Sequence, residues 1–324
     1  MTFEFGWGDS LAVREALLEE SGILFSFPRK SILEMGYPDS QGLPELVRLT
    51  QKLTKEEYLA DFKYISITGG AHHGIATILR AFRGEFNSTA RIPTKYFSFY
   101  PRLLEKEDYD VIKSPALIGN KALNIVDSPS NPEGNLSMGN VLIKNNVLWD
   151  AVYNNRIFSK NRETSPNKSA RFFVGSFSKF LGINGVRLGW IGCNTLADYE
   201  KINNEIVNDT LGISVPSQLM VIDILKTTNL DSFTSRAARK LDNNRETMAK
   251  LEKYMLIPVP TNGMFYLGYA DKSFRDLLKK AKVNYIDGND CGAPGMIRLN
   301  LAQSNELTKQ MVDTIIKIDN RKQG

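Results

Sequence analysis

The sequence contains few of the residues from which metal sites and disulfide frameworks are built. Its two cysteines, Cys193 and Cys291, lie far apart and have no second cysteine or histidine at metal-ligand spacing. Its only two histidines, His72 and His73, are neighbours, and adjacent residues of a helix do not point the same way. We therefore expect no bound metal and no disulfide framework, and a reducing compartment.

The chain also lacks a long apolar run and a strong charge of one sign. No apolar run approaches the length that spans a bilayer, and the first residues show no basic and apolar pattern of a secretion signal. The formal net charge is only +5 in 324 residues, and it is scattered. These absences predict a cytoplasmic protein whose partners include neither a membrane nor a nucleic acid.

The pattern of apolar residues predicts an α/β protein with a large core. Short β-branched or aromatic runs alternate with helical patterns from about residue 45 to 210, which is typical of a mostly parallel sheet covered by helices. Candidate strands lie at 64–67, 109–112, 123–126, 146–149, 172–174 and 188–191. A helical stretch at about 195–255 precedes a small α+β part with strands at 265–267 and 296–299 and helices at 273–282 and 305–318.

The most informative stretch is residues 176–190, which sets Lys179 among two hydroxyls, three glycines and one arginine. A lysine that condenses with an aldehyde must be available as the neutral amine, which burial or a nearby positive group favours. Arg187 stays charged and can hold a phosphate dianion, to which Ser176 and Ser178 can donate hydroxyl hydrogen bonds. The stretch predicts a Schiff-base lysine beside an anion site; a basic loop between two apolar runs is the alternative.

Residues 68–72 form a second candidate anion site, because glycines there follow a predicted strand and open a helical pattern. The free backbone N–H groups of such a turn can cradle a phosphate with help from the helix dipole. A glycine turn that only links strand to helix is the alternative.

The stretch at 176–190 closely resembles the lysine loop of the class I/II aminotransferases of fold type I. The family loop reads Ser-x-Ser-Lys and then Gly-x-x-Gly-x-Arg-x-Gly, and further motifs at 68–72, 128–134 and 150–153 occur in the family's order. The resemblance implies pyridoxal 5'-phosphate (PLP) as the cofactor. It also implies a mostly parallel seven-stranded sheet in a large domain of residues 36–235, with a smaller α+β domain formed by residues 1–35 and 236–324.

The same resemblance assigns roles to individual residues around PLP. Lys179 is the catalytic residue that forms an aldimine with the cofactor. The phosphate contacts fall on Gly70, Ala71, His72, Ser176, Ser178 and Arg187.

The pyridine ring has its own set of implied contacts. Asn131, held between two prolines, and Tyr153 donate to the phenolate oxygen, while Asp150 keeps the ring nitrogen protonated. Tyr96 stacks on the ring, although core packing is the alternative for this residue. Plain turn chemistry at 128–134 and capping of a helix by Asp150 are the alternatives for the other two motifs.

Substrate contacts are implied at the two ends of the chain. Arg298 lies in an otherwise apolar strand, needs an anionic partner and suits an α-carboxylate; pairing with an internal acid is the alternative. Gly8 lines the substrate cleft, and Asn131 also faces the substrate. Further candidates for the side-chain pocket are Trp7, Arg29, Lys30 and Tyr37.

Tyr37 is similar to a tyrosine that, in this family, reaches the phosphate in the neighbouring subunit. The resemblance therefore implies a homodimer with Tyr37 contributed across the interface. The same residues are also typical of an exposed turn.

These features predict an enzyme that moves an amino group from an L-amino acid to a 2-keto acid. Residues 212–219 and 128–134 also resemble the alliinase and tryptophan-aminotransferase branch, so a PLP-dependent carbon–sulfur β-lyase is the alternative activity. A non-catalytic sensor with this fold is less favoured, because the acid–base residues are all present.

Overall fold

The computed structural model describes residues 2–20, 35–119, 121–136, 146–162 and 170–323. The strands are β1 (Phe3–Glu4), β2 (Tyr64–Thr68), β3 (Thr89–Ile92), β4 (Asp110–Lys113), β5 (Leu123–Asp127), β6 (Val147–Asp150), β7 (Phe172–Ser176), β8 (Gly189–Cys193), β9 (Phe265–Tyr269), β10 (Val283–Asn284), β11 (Ile286–Asp287) and β12 (Met296–Asn300). The α-helices are α1 (Leu11–Glu20), α2 (Pro44–Glu57), α3 (Ala71–Ala81), α4 (Tyr100–Lys106), α5 (Phe177–Phe180), α6 (Leu196–Thr210), α7 (Val215–Thr227), α8 (Leu230–Ala249), α9 (Glu252–Met255), α10 (Lys272–Lys280) and α11 (Asn305–Gln323). None of these helices is long and apolar enough to cross a bilayer.

A seven-stranded sheet in the order β2-β8-β7-β6-β5-β3-β4 forms the centre of the molecule. Strand β8 runs antiparallel to β2 and β7, and the other neighbouring strands are parallel. Strands β5 and β7 are buried along their whole length, as their near-continuous apolar sequences require. The predicted mostly parallel α/β sheet is confirmed.

Aromatic side chains of three neighbouring strands pack against one another on the central sheet. The rings of Trp149 and Phe173 meet edge to face at 5.4 Å, and Trp190 stacks on Phe173 at 6.2 Å. Gly175 leaves room for this cluster, since a Cβ there would lie 2.3 Å from the Trp190 ring. The three aromatic residues come from β6, β7 and β8, so their packing holds these strands in register beneath the site.

The smaller part of the fold contains residues from both ends of the chain. Strands β11, β12 and β9 form an antiparallel sheet, and β1 pairs in parallel with β10, with Phe3 opposite Val283. Helix α1 packs along α8. This arrangement agrees with an N-terminal segment that joins the C-terminal part, and the domain boundaries at 36 and 235 stay a prediction.

Strand β3 is the strand of the central sheet that the apolar pattern did not predict, and the short strands β1, β10 and β11 of the smaller part were not predicted either. The sequence of β3 is Thr-Ala-Arg-Ile, and Arg91 is only 4% exposed. The Arg91 guanidinium is accommodated because it donates to the backbone carbonyls of Ser114, Pro115 and Ile125. A charged residue can therefore occupy a central strand when backbone oxygens surround it.

The strand ends that carry polar residues meet at one edge of the sheet. Gly189, the first residue of the antiparallel β8, lies opposite Thr68 and Ser176, the last residues of β2 and β7. Asp127 and Asp150, the last residues of β5 and β6, lie opposite each other. Since ligands of such sheets bind at the carboxyl ends of the strands, this edge is where a site is expected.

Candidate active site

A cavity of about 420 Å³ opens at this edge, between the central sheet and the smaller part of the fold. Its volume is in the range of small-molecule and cofactor sites. The predicted residues that line it are Trp7, Gly8, Ala71, His72, Asn131, Asp150, Tyr153, Ser176, Ser178, Lys179, Arg187 and Arg298. Residues from near both ends of the chain therefore line the same cavity.

Lys179 lies on α5, directly after β7, and its Nζ donates a hydrogen bond to the backbone oxygen of Gly8. A Cβ on Gly8 would lie 3.2 Å from this Nζ, so the glycine leaves room for the amine. Burial, together with the positive charges of Arg187 and Arg298, lowers the pKa of Lys179 to about 8 against the opposing effect of Asp9. The amine is therefore more easily available in its neutral, nucleophilic form than an ordinary lysine.

One end of the cavity is built to hold an anion. Gly70 has φ of 95°, and a Cβ there would lie 3.1 Å from Nη2 of Arg187. Ala71 and His72 begin helix α3, so their N–H groups face the same end of the cavity as the guanidinium. No carboxylate of the described residues lies within 4 Å of the Arg187 guanidinium, which donates to Ser178 Oγ and to the Asn184 carbonyl.

Arg187 itself has left-handed backbone geometry, with φ of 56°. This conformation is uncommon for a residue with a side chain and is often found at functional sites. This conformation turns the chain between α5 and β8, and the Arg187 guanidinium lies beside Ser178. Ser176 is buried at the end of β7 and lines the cavity beside it.

The two histidines have different surroundings. The His72 ring lines the cavity, and burial together with Arg187 lowers its pKa. His73 Nδ1 accepts from the N–H of Gly69 at 2.9 Å, and its Nε2 lies 3.2 Å from Asp209. His73 therefore fixes the start of α3 to α6 rather than facing the cavity.

Asp150 ends β6 and is partly buried on the cavity wall. The Tyr100 hydroxyl donates to its Oδ2 at 2.6 Å, and the Val152 N–H donates to Oδ1 at 3.3 Å. Burial raises the pKa of Asp150, while both hydrogen bonds oppose that rise. Tyr153 lies on the same wall, and burial raises the pKa of its hydroxyl, which therefore stays a proton donor at neutral pH.

Arg298 and Asn131 meet on the other side of the cavity. The Arg298 guanidinium is 4% exposed, donates to Asn131 Oδ1 at 2.7 Å and lies 4.0 Å from the centre of the Phe265 ring. Its Nε finds no hydrogen-bond partner, and no carboxylate of the described residues lies within 4 Å of the guanidinium. Because Asn131 Oδ1 is engaged, the NH₂ of that amide is left to donate elsewhere.

The expectation that Tyr96 stacks on the cofactor ring is not supported by its position, because Tyr96 does not line the cavity. Its N–H donates to the Cys291 carbonyl, and its hydroxyl accepts from Lys113 Nζ at 3.1 Å, which holds the ring away from the site. The next residue, Phe97, lines the cavity instead. The structure thus gives Tyr96 the core-packing role that was its alternative.

Tyr37 also lies away from this cavity. Its side chain is 86% exposed, and it adjoins residues 210–216 on the surface. Its expected action in a neighbouring subunit stays a prediction. Trp7 lies at the cavity as expected, with 62% of its surface exposed, whereas Arg29 and Lys30 fall outside the described residues.

Several cavity residues were missed by the sequence reasoning. Asp9 accepts from Asn184 Nδ2 at 2.7 Å and also pairs with Arg14, which fixes the loop that carries Gly8. The other missed residues are Ile75, Phe97, Ser98, Phe99, Asp127, Val152, Phe265 and Ile286. Only Asp127 had a visible signal, since it is a polar residue at the end of a predicted strand.

Comparison with known proteins places the chain in a family. The family model described as aminotransferase class I and II matches residues 12–315. The chain belongs to this family. It is therefore a PLP-dependent aminotransferase of fold type I, as its lysine loop predicted.

Individual relatives agree with this assignment. The chain is 26% identical to the probable aspartate/prephenate aminotransferase of Aquifex aeolicus (strain VF5), over 83% of this chain and 80% of that protein. It is 23% identical to the aspartate aminotransferase of Bacillus subtilis (strain 168), over 86% and 82% of the two chains. The aromatic aminotransferase from Pyrococcus horikoshii OT3 has the same fold, with a TM-score of 0.79 at 18% identity over 99% and 96% of the two chains. The narrower resemblance to alliinases stays a prediction.

The residues of the cavity fit PLP. Arg187, which has no carboxylate partner among the described residues, and the N–H groups at the start of α3 match a phosphate, and Asp150 with its two donors matches a protonated ring nitrogen. Arg298 is buried, and its Nε has no partner in the part of the chain that the structure describes, so one further anion can be bound there. The site therefore has complementary groups for the cofactor and for a carboxylate substrate.

Proposed function

We propose that the enzyme transfers the amino group of an L-α-amino acid to a 2-keto acid, with Lys179 as the proton-transferring residue and Arg298 as the carboxylate anchor. Three groups line the same cavity, and this arrangement supports the proposal. They are an amine of lowered pKa, a buried guanidinium with no carboxylate partner among the described residues, and a carboxylate held by two donors.

When bound, PLP supplies the aldehyde that takes up the amino group and the ring that stabilises negative charge at the substrate Cα. Its phosphate would be held by Gly70, Ala71, His72, Ser176, Ser178 and Arg187. Asp150 would face the ring nitrogen, and the amide of Asn131 and the hydroxyl of Tyr153 would face the phenolate oxygen.

The enzyme's own groups account for the proton movements. Arg298 holds the substrate carboxylate and so presents the Cα–H to the Lys179 side of the cavity. The neutral Nζ of Lys179 removes that proton and can return it to a different carbon, which is the step that distinguishes amino transfer from simple exchange. Hydrolysis by one water molecule then breaks the C–N bond and releases the donor as a 2-keto acid, and a second keto acid takes up the amino group by the reverse steps, in which that water is released.

Replacement of Arg298 tests the anchor. Lys at this position keeps the charge but loses the second, parallel N–H donor, so Arg298→Lys should lower kcat/KM for amino acids on the order of 10²-fold, mainly through KM. The weak reaction of a primary amine that has no carboxylate should change little. Arg171→Lys is the matched control, because Arg171 pairs with Glu85 and Asp198 away from the cavity.

The reaction type is tested with two substrate sets. Amino acids, including L-aspartate, L-alanine and L-tryptophan, are mixed with 2-oxoglutarate, and an S-alkyl cysteine is incubated without any keto acid. Amino transfer predicts a new keto acid and glutamate in the first set and no ammonia in the second. Rapid release of pyruvate and ammonia from the S-alkyl cysteine without an acceptor would identify a β-lyase and overturn the proposal.

We also propose that the enzyme is a cytoplasmic homodimer in which Tyr37 contacts the phosphate of the neighbouring active site. The nearly complete exposure of the Tyr37 ring in the single chain supports this, since large exposed aromatic rings are common at interfaces.

A further inference from the structure

The cavity contains a second carboxyl group, Asp127, beside Asp150. The two residues are register partners at the ends of the parallel strands β5 and β6, and both line the cavity. Neighbouring strands lie about 4.8 Å apart, so the side chains of register partners on one face adjoin each other. Two carboxyl groups are thus set side by side where one is sufficient to bind a ring nitrogen.

The hydrogen bonds of the two carboxyl groups are unequal. Asp150 accepts from the Tyr100 hydroxyl on Oδ2 and from the Val152 N–H on Oδ1. Asp127 accepts from the Asn131 N–H at 2.8 Å on Oδ2, while its buried Oδ1 has no partner among the described residues. An unpartnered oxygen favours the protonated acid, because a carboxylate oxygen without donors is poorly stabilised when buried.

The charged and titratable groups around Asp127 favour the same state. Burial, together with the charge of Asp150 on β6, raises the pKa of Asp127 to about 7 against the opposing effects of the Asn131 N–H, its own backbone N–H and Arg91 on β3. The Arg91 donors go to backbone carbonyls rather than to Asp127. The Tyr100 hydroxyl is directed to Asp150 rather than to Asp127.

We propose that Asp127 is a positioning residue that is protonated below neutral pH, so that the Asp127–Asp150 pair presents a single negative charge to the cavity in that range. The proton sits on Oδ1, the oxygen that otherwise lacks a partner, and makes it a donor beside the Asp150 carboxylate. A single charge matches the single positive charge of a protonated ring nitrogen. The catalytic consequence of this inference rests on the proposed function, whereas the presence of the proton on Asp127 does not.

Asp127→Asn separates the role of the Asp127 proton from that of the hydrogen bond between Asp127 and the Asn131 N–H. An asparagine retains an oxygen that accepts the Asn131 N–H and replaces the acid O–H with an amide N–H of similar size. If Asp127 is a neutral donor below about pH 7, the asparagine reproduces that neutral form at every pH, so the change in kcat that accompanies loss of this proton near pH 7 should be absent from Asp127→Asn. The same substitution at its register partner, Asp150→Asn, is expected to be far more damaging and serves as the matched comparison.

Two measurements on the full-length chain need no turnover. Infrared difference spectra across pH should show the carbonyl band of a protonated carboxylic acid that is lost as the pH rises through about 7 and that is absent from Asp127→Asn. The folded chain holds this proton more tightly than the unfolded chain, whose ordinary pKa is 3.8. The wild-type Tm should therefore fall relative to that of Asp127→Asn as the pH rises from about 4 to about 7.

The outcomes distinguish this inference from the proposed function. The proposal fails if wild-type protein shows no such band, if the band persists in Asp127→Asn, or if the two proteins show the same dependence of Tm on pH. The wild-type spectra alone can reject it, even if the variant folds poorly. A chain that shows the band but transfers no amino group would overturn the proposed function and leave the carboxyl pair intact.

Discussion

Lys179→Ala should reduce the rate of amino transfer on the order of 10⁴-fold at saturating PLP. The variant loses the amine that we propose both holds the cofactor covalently and moves the Cα proton, and no other described lysine lines the cavity. Folding should be little affected, because the Nζ makes one hydrogen bond, to the Gly8 carbonyl. The checks are the steady-state rate, the retained PLP after dialysis and the Tm.

Lys201→Ala is the control for this substitution. Lys201 lies on α6 and pairs only loosely with Glu85, at 3.8 Å, so its loss should leave both the rate and the bound cofactor unchanged. A small amine added to Lys179→Ala should restore part of the rate if a missing base is the cause. Retention of more than about a tenth of wild-type activity in Lys179→Ala would contradict the assignment.

Asp150→Asn should lower kcat on the order of 10²- to 10³-fold while leaving the fold intact. An asparagine has one oxygen that can accept from the Val152 N–H and an NH₂ that can donate to the Tyr100 hydroxyl, so hydrogen bonds to both partners remain possible while the negative charge is lost. Without that charge the ring nitrogen is not held in its protonated form, and negative charge at the substrate Cα is less stabilised. The measurement is single-turnover kinetics, which isolates chemistry from product release.

A cofactor with a methylated ring nitrogen tests the cause of that loss. Its ring carries a permanent positive charge, so it should restore much of the rate in Asp150→Asn if charge is the missing element. Failure to restore it, together with a kcat for the variant within about threefold of the wild type, would show that Asp150 has no electrostatic role.

The parts of the fold that could be predicted from sequence are those in which local pattern and tertiary packing agree. Apolar runs such as Leu123–Asp127 and Phe172–Ser176 are buried on both faces and so are recognisable as central strands. The lysine loop was recognisable because its chemistry and its backbone turns lie within fifteen consecutive residues, 176–190. Polar residues at strand ends, such as Asp150, could be placed at the site because the carboxyl ends of parallel strands share one edge.

The rest depended on contacts that the local sequence does not contain. Strand β3 contains Arg91, which is acceptable in a sheet only because backbone carbonyls distant in sequence accept hydrogen bonds from its guanidinium. Tyr96 and Phe97 are adjacent aromatics, and only the positions of Lys113 and Cys291 decide which one faces the cavity. The carboxyl pair of Asp127 and Asp150 arises from the register of β5 and β6, which sequence patterns leave open.

The proposed function depends most directly on the covalent attachment of PLP to Lys179. Reduction of the purified holoenzyme with borohydride, followed by proteolysis and mass spectrometry, measures it directly. We expect the mass of the reduced cofactor on the peptide that contains Lys179. Attachment at a different lysine, or no attachment in a preparation that binds PLP and transfers amino groups, would contradict the role proposed for Lys179.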